Sequence, residues 1–351
     1  MSAAFPATCP APLATSSRVL LGHGSGGKLS ANLINDVFLR FFRNPLLERL
    51  EDQAIVHIGG ARVAFTTDSF VVKPLFFRGG DIGSLAVHGT VNDLAMGGAE
   101  PLFLSTGFIL EEGLEMETLQ RVTESMAIAA QSAGVEIVTG DTKVVEKGSG
   151  DGLFINTTGL GIVREGVRLS AANARPGDRI IVSGTLGDHG IAILSEREGI
   201  GFDGAIASDS APLHTLVRAM LDADNTGGIR CMRDPTRGGL ASSLNEIAAR
   251  AKVGMELNEA AIPIREEVRG ACEMLGLDPL YVANEGKLIA IVSPETVDAV
   301  LAAMNEHPLG TDAWVIGSVT ERHPGLVTAR TAFGTTRIVD MLSGDQLPRI
   351  C

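Results

Sequence analysis

Glycine pairs mark the points along this chain where one hydrophobic rhythm gives way to another, and that punctuation limits the fold more than any other feature. Gly59-Gly60 separates two β-branched runs, 53–58 and 62–67, which is the pattern of a hairpin. Gly97-Gly98 closes an apolar stretch, 81–96, that reads as a helix, and Pro101 forbids its continuation. Leu119, Val122, Met126, Ala129 and Ala133 then recur at spacings of three and four, one helix face made for core packing. Strands are predicted at 135–139 and 153–163, with a short strand at 18–21 ahead of a helix over 30–42. Asn173, Pro176 and Gly177 interrupt the pattern, and a strand at 179–183 opens a second unit. Its helices are expected at 213–223, 240–251, 264–275 and 294–304, and its strands at 287–292 and 313–319. Hairpins and helices mixed in both halves predict an α+β fold of packed layers rather than a doubly wound sheet. The chain therefore divides into a Pro/Ala/Ser-rich segment 1–17 expected to be disordered, domains at 18–170 and 171–342, and a mobile tail, 343–351.

A chain of 351 residues can bury two cores of ordinary size. Its 29 Lys and Arg stand against 42 Asp and Glu, a net charge of -13 without a basic cluster, which argues against nucleic acid as a partner. No run approaches 18 apolar residues, so no membrane span is expected. The N-terminus lacks the basic start and apolar run of a secretory signal. Cys9, Cys231, Cys272 and Cys351 form no CxxC pair, as in a reduced cytoplasmic protein.

Several motifs can carry chemistry. Gly22-His23-Gly24-Ser25-Gly26-Gly27 can turn backbone N–H groups toward a phosphate, or it is a plain surface loop. With Lys28 it matches G-x-x-x-x-G-K, but Leu29 stands where a P-loop needs Ser or Thr. Asp68 follows a β-branched run, Asp93 lies near a helix end, and Asp141 follows a strand, with Lys143 two residues on. Each Asp alone reads as a cap or turn residue; clustered, they would need a cation such as Mg²⁺ between them and a nucleotide. Asp234-Pro235-Thr236-Arg237-Gly238-Gly239 is a helix start, or a ring of N–H groups facing an anion. Asn284-Glu285-Gly286 reads as a turn, and the scattered histidines offer no metal set. Cys351 follows Ser343-Gly344 on a segment that spans roughly 23 Å when extended, enough to carry a thiol between a cleft and a partner.

Taken together, GHGSGG at 22–27, TTDSFVVKPLFFRGGDIG at 66–83, GTVNDLAMGGAEP at 89–101, VTGDTKVV at 138–145, DPTRGGLA at 234–241, NEG at 284–286 and PRIC at 348–351 resemble the HypE family of hydrogenase maturation factors. The resemblance covers nearly the whole chain after residue 17. It implies a PurM-like (aminoimidazole ribonucleotide synthetase) fold, whose N-terminal domains pair in a homodimer around a β-barrel. It also implies an ATP-dependent carbamoyl dehydratase that turns an S-carbamoyl group on Cys351 into a thiocyanate, the source of the cyanide ligands of the hydrogenase iron. By this resemblance ATP would be held by Gly22, His23, Gly24, Ser25, Gly26, Gly27, Asn92 and Thr142, and Mg²⁺ by Asp68, Asp93 and Asp141. Cys351, Glu285 and Lys143 would be catalytic, with either Glu285 or Lys143 as the base. The implied partners are a HypF-like carbamoyltransferase and a HypC–HypD iron scaffold. Selenophosphate synthetase, a relative in the same superfamily, carries Cys then Lys in its glycine loop; His23 and Ser25 here argue against selenium chemistry. Two other readings stay open, an enzyme of the same fold acting on a free small molecule and a non-catalytic maturation scaffold.

Overall fold

The computed structural model describes residues 17–201, 206–344, 347 and 349–351. The segment expected to be disordered lies outside these apart from its last residue, as does part of the expected tail. The helices are α1 (Lys28–Leu33), α2 (Leu39–Phe42), α3 (Ile82–Met96), α4 (Met116–Ala133), α5 (Asp188–Glu198), α6 (His214–Ala223), α7 (Gly239–Ala251), α8 (Glu266–Leu275) and α9 (Val297–Glu306). Strands β1 (Ala54–Ile58), β2 (Ala61–Phe70), β3 (Phe76–Phe77), β4 (Gly80–Asp81), β5 (Ala99–Glu111), β6 (Glu136–Val145) and β7 (Leu153–Val163) belong to the first half. The second half holds β8 (Arg179–Val182), β9 (Ile229–Arg233), β10 (Gly254–Asn258), β11 (Ile289–Val292), β12 (Trp314–Thr320), β13 (Val327–Arg330) and β14 (Thr336–Ile338).

The first sheet runs β1-β2-β7-β5-β6, antiparallel except for the β5–β6 pair. Strand β7 shows why it has two different faces: Leu153, Ile155, Thr157 and Val163 point into the core while Asn156, Leu160 and Ile162 alternate outward. Helices α3 and α4 cover the inner face. Asp81 starts α3 by accepting from Gly83 N at 2.7 Å and Ser84 N at 3.1 Å, while Ser84 Oγ bonds back to the Asp81 amide. Val122, Met126, Ala129 and Ala133 form the buried stripe of α4.

The second sheet runs β14-β13-β10-β12-β8-β11-β9 and is covered on both sides. Ile180, Val182, Ile289 and Ile291 join Leu240 and Leu244 of α7 in one core, while Ile181, Ala290 and Val292 join α6 and α9 in another. Burial on both faces explains why β8 and β11 are continuous apolar runs without alternation. Helix α3 links the domains, since Leu85, Val87 and Val91 belong to the first core and Ala95 and Met96 to the second.

The α+β layering, the hairpin about Gly59-Gly60 and most second-half helices stand as expected. The strand expected at 18–21 is absent; Leu21–Gly24 form a single 3-10 turn. The helix expected from 30 begins at Lys28 and passes through a π-helical stretch, Ile34–Phe38, between α1 and α2. Strand β5 runs through Pro101, because its pairing with β6 begins only at Phe103 and no partner on that side needs the missing N–H.

Candidate functional site

The sequence motifs meet where the two domains adjoin. Asp93, on α3, accepts from Thr66 Oγ1 at 2.7 Å. Burial, with Asp234, Asp68 and Asp52 nearby, pushes the Asp93 carboxyl well above its usual range. Asp68, near the end of β2, accepts from the Ser69 amide at 2.7 Å and is also raised by burial, with Arg237 opposing. Asp234 follows β9; burial and Asp52 push it up to about 8. Burial raises Asp52 to about 6, although Arg233 Nε stands 3.0 Å away. Glu285 is 3% exposed, and its Oε1 has no hydrogen-bond partner. Burial first, then Asp234, Asp68 and Asp209, push its carboxyl far upward. So many carboxylates around few cations leave an excess of negative charge that a bound cation would relieve.

Two residues of a segment that the sequence offered as a helix start or a ring of N–H groups facing an anion belong, by their side chains, to this group. Asp234 joins Asp68 and Asp93, and Arg237 faces Cys351, Asp68, Glu285 and Asp93. The D-P-T-R-G-G spelling was visible, but a helix cap explained it equally well until the fold placed it beside β2.

The glycine loop closes one wall. Ser25 Oγ lies 2.8 Å from Gly22 O and 2.9 Å from Gly344 O, and Lys28 N donates to Leu342 O at 2.7 Å. Gly26, at φ 74°, packs against the Arg237 backbone, where any Cβ would collide with a carbonyl. Gly22 and Gly27 are buried, and His23 Nδ1 accepts from Leu20 N at 2.9 Å. Asn92 ties three segments together: its Oδ1 accepts from Leu213 N and its Nδ2 donates to Ala211 O and Glu285 O. It therefore fixes the Glu285 turn.

Cys351 sits in a cleft of about 180 Å³ lined by Ser25, Ser69, Val71, Arg237 and Tyr281, among others. Burial pushes its thiol pKa upward; Arg237 opposes this, while Glu285, Asp68 and Asp234 reinforce it.

Asp141, Thr142 and Lys143 are not part of this cluster within one chain. The register Ser69–Asn156–Gly107–Asp141 sets β6 three strands from β2, roughly 14 Å at the usual spacing. The side chains of Asp141 and Lys143 are 71% and 69% exposed and pair with each other at 2.6 Å. Strand β6 is the edge of the sheet, so in the single chain Lys143 stands in solvent beside Asp141. Among the described residues, no three His, Cys, Asp or Glu side chains are placed to hold a metal. No helix among them is long and apolar enough to cross a membrane.

Residues 50–163 match the AIR synthase related protein N-terminal domain, and 175–328 the corresponding C-terminal domain. The chain is 59% identical over 329 residues to carbamoyl dehydratase HypE of Azotobacter vinelandii, covering 94% of this chain and 96% of that one. A HypE–HypF complex matches with a TM-score of 0.84 at 49% identity, over 88% of this chain and 99% of that one. A HypE structure in complex with ATP matches at 0.80 and 52% identity, over 95% of this chain and 100% of that one.

Proposed function

The chain belongs to the HypE family of carbamoyl dehydratases, built on the AIR synthase related fold, and we propose that its cleft performs their reaction on a group carried by Cys351. The observation that supports this reading is the seating of the Cys351 thiol among Arg237, Glu285, Asp68 and Asp234. The enzyme is ATP-dependent, for a chemical reason: oxide is a poor leaving group and phosphate a good one. Transfer of the ATP γ-phosphoryl group to the carbamoyl oxygen, loss of two nitrogen protons and departure of phosphate leave Cys351–S–C≡N, ADP and phosphate.

The chain's own groups divide the work. Arg237 balances negative charge at the thiol and phosphoryl oxygens. Glu285, held by Asn92 and by its amide, which donates to Asp209 Oδ1 at 3.0 Å, accepts a nitrogen proton through its free Oε1 once a cation bound among the carboxylates relieves the field that raises it. The glycine loop packs against Arg237 and shields the cleft. The oxygen donors of Asp68, Asp93 and Asp234 are of the hard type that suits Mg²⁺, though in the single chain they are not drawn together as a ligand set, and Asp141 would reach them only from a second chain. When bound, the ion would neutralise the cluster and hold nucleotide phosphates.

The second chain of a homodimer has a place to bind. Phe65 and Phe103 both oppose Leu160 across the bare face of the first sheet, and they are 45%, 41% and 40% exposed. Pairing two chains through this face closes an apolar patch and brings a partner's β6, with Asp141, Thr142 and Lys143, toward the cleft. Leu160→Asp is expected to yield monomers by light scattering while the fold survives, since the side chain touches no core. A wild-type protein that is monomeric at micromolar concentration would remove the dimer. A HypF-like transferase loads Cys351, and cyanide leaves to a HypC–HypD iron complex; the free thiols among the described residues, Cys231, Cys272 and Cys351, suit the reducing cytoplasm.

The test is the mass of the Cys351 peptide after loading: ATP addition removes the mass of one water. Asp68→Asn is expected to weaken Mg²⁺–ATP binding roughly 10–100-fold by calorimetry and to slow that loss. Unchanged affinity would take Asp68 out of the nucleotide site.

A further inference from the structure

Three successive carbonyls at the end of the chain each meet a donor from the protein body. Val71 N donates to Cys351 O at 3.0 Å, Lys73 N to Arg349 O at 3.4 Å, and between them the His189 ring lies 2.8 Å from Ile350 O through Nε2. A carbonyl only accepts, so His189 Nε2 carries the proton. Nδ1 then accepts from Ser208 Oγ, 2.8 Å away on the other side of the ring. His189 is fully buried, and Phe77 meets it edge to face with centroids 5.7 Å apart. Ile350 is 4% exposed beside Ile193 and Ala283. The Arg349 guanidinium adds a second hold: Nε donates to Val71 O at 3.1 Å, and the group pairs with Asp151, which also receives Lys73 Nζ at 2.9 Å.

Nothing in the dehydration chemistry requires His189 or Asp151, yet both act on the residues next to the carrier thiol. We propose that they are positioning residues, a latch that seats residues 349–351 so that the Cys351 sulfur is presented to Arg237 and Glu285. The latch has to let go when the transferase loads the thiol, so it favours dehydration over loading without entering the chemistry of either. This inference rests on Cys351 being the carrier.

The two ideas fail differently, because the first measurement needs no carbamoyl chemistry. Cys351 is alkylated with N-ethylmaleimide without nucleotide and followed by peptide mass spectrometry, which separates it from the other cysteines. In His189→Ala the rate is expected to rise about tenfold, the factor carried by one hydrogen bond to a buried carbonyl. His189→Gln, which can offer an amide N–H near the Nε2 position, is expected to restore protection. Asp151→Asn, at a partly exposed site that the fold does not depend on, is expected to act in the same direction and decides the matter should His189→Ala not fold. In the same variants, loading by the carbamoyltransferase is unchanged or faster, ATP-driven loss of water slows about tenfold, and ATP affinity is unchanged. Wild-type alkylation rates in both variants would overturn the latch, as would equal slowing of loading and dehydration without faster alkylation. A latch that passes while wild type never loses water would instead sink the carrier role.

Discussion

Cys351→Ser is expected to fold and bind ATP as wild type does while forming no thiocyanate at all. The side chain is half-buried, makes no disulfide, and differs from serine by one atom, so stability changes little. The chemistry changes completely, because a serine hydroxyl is far less nucleophilic than a thiolate and cannot form a thiocyanate. Removal of a reacting nucleophile costs on the order of 10⁴-fold or more. The measurement is the mass of the C-terminal peptide after incubation with the carbamoyl donor, the transferase and ATP. Hydrogenase maturation restored to wild-type level by the serine variant would falsify the carrier role and favour a free small-molecule substrate.

Glu285→Gln separates loading from dehydration. Glutamine keeps the shape, and the backbone of the turn stays fixed by Asn92 and Asp209. Loss of a buried carboxyl beside Asp234 and Asp68 removes repulsion, so thermal stability is expected to hold or rise. The variant should accept the carbamoyl group and then stall, with water loss roughly 10²–10⁴-fold slower, the range of a general base. A wild-type rate of thiocyanate formation would exclude Glu285 and turn attention to Lys143 from a second chain.

Local rules carried much of the fold. The glycine-closed hairpin, the capped start of α3 at Asp81 and the stripe of α4 all follow from spacing and turn chemistry within about a dozen residues. Helix α5 escaped notice because Asp188, His189 and Gly190 at its start lack an apolar rhythm, and the helix is held by burial between neighbours. Strand β5 escaped because Pro101 is a strand breaker unless the partner on its N–H side begins later.

The site divides along the same line. The residue types for phosphoryl and thiol chemistry were present in the motifs at 22–27, 66–68, 284–286 and 348–351, because such chemistry demands particular functional groups in particular local surroundings. Which carboxylates share one charge field was decided only by the tertiary structure. β2, α3 and the turn after β9 converge, so Asp234 stands with Asp68 and Asp93, while the sheet order leaves Asp141 and Lys143 on an outer edge. The role of His189 depends on a contact across 161 positions in the chain, a distance at which no local pattern carries information. Sequence alone determined the chemical groups and their local conformations; their joint electrostatics, which depend on separation in space, were decided by packing.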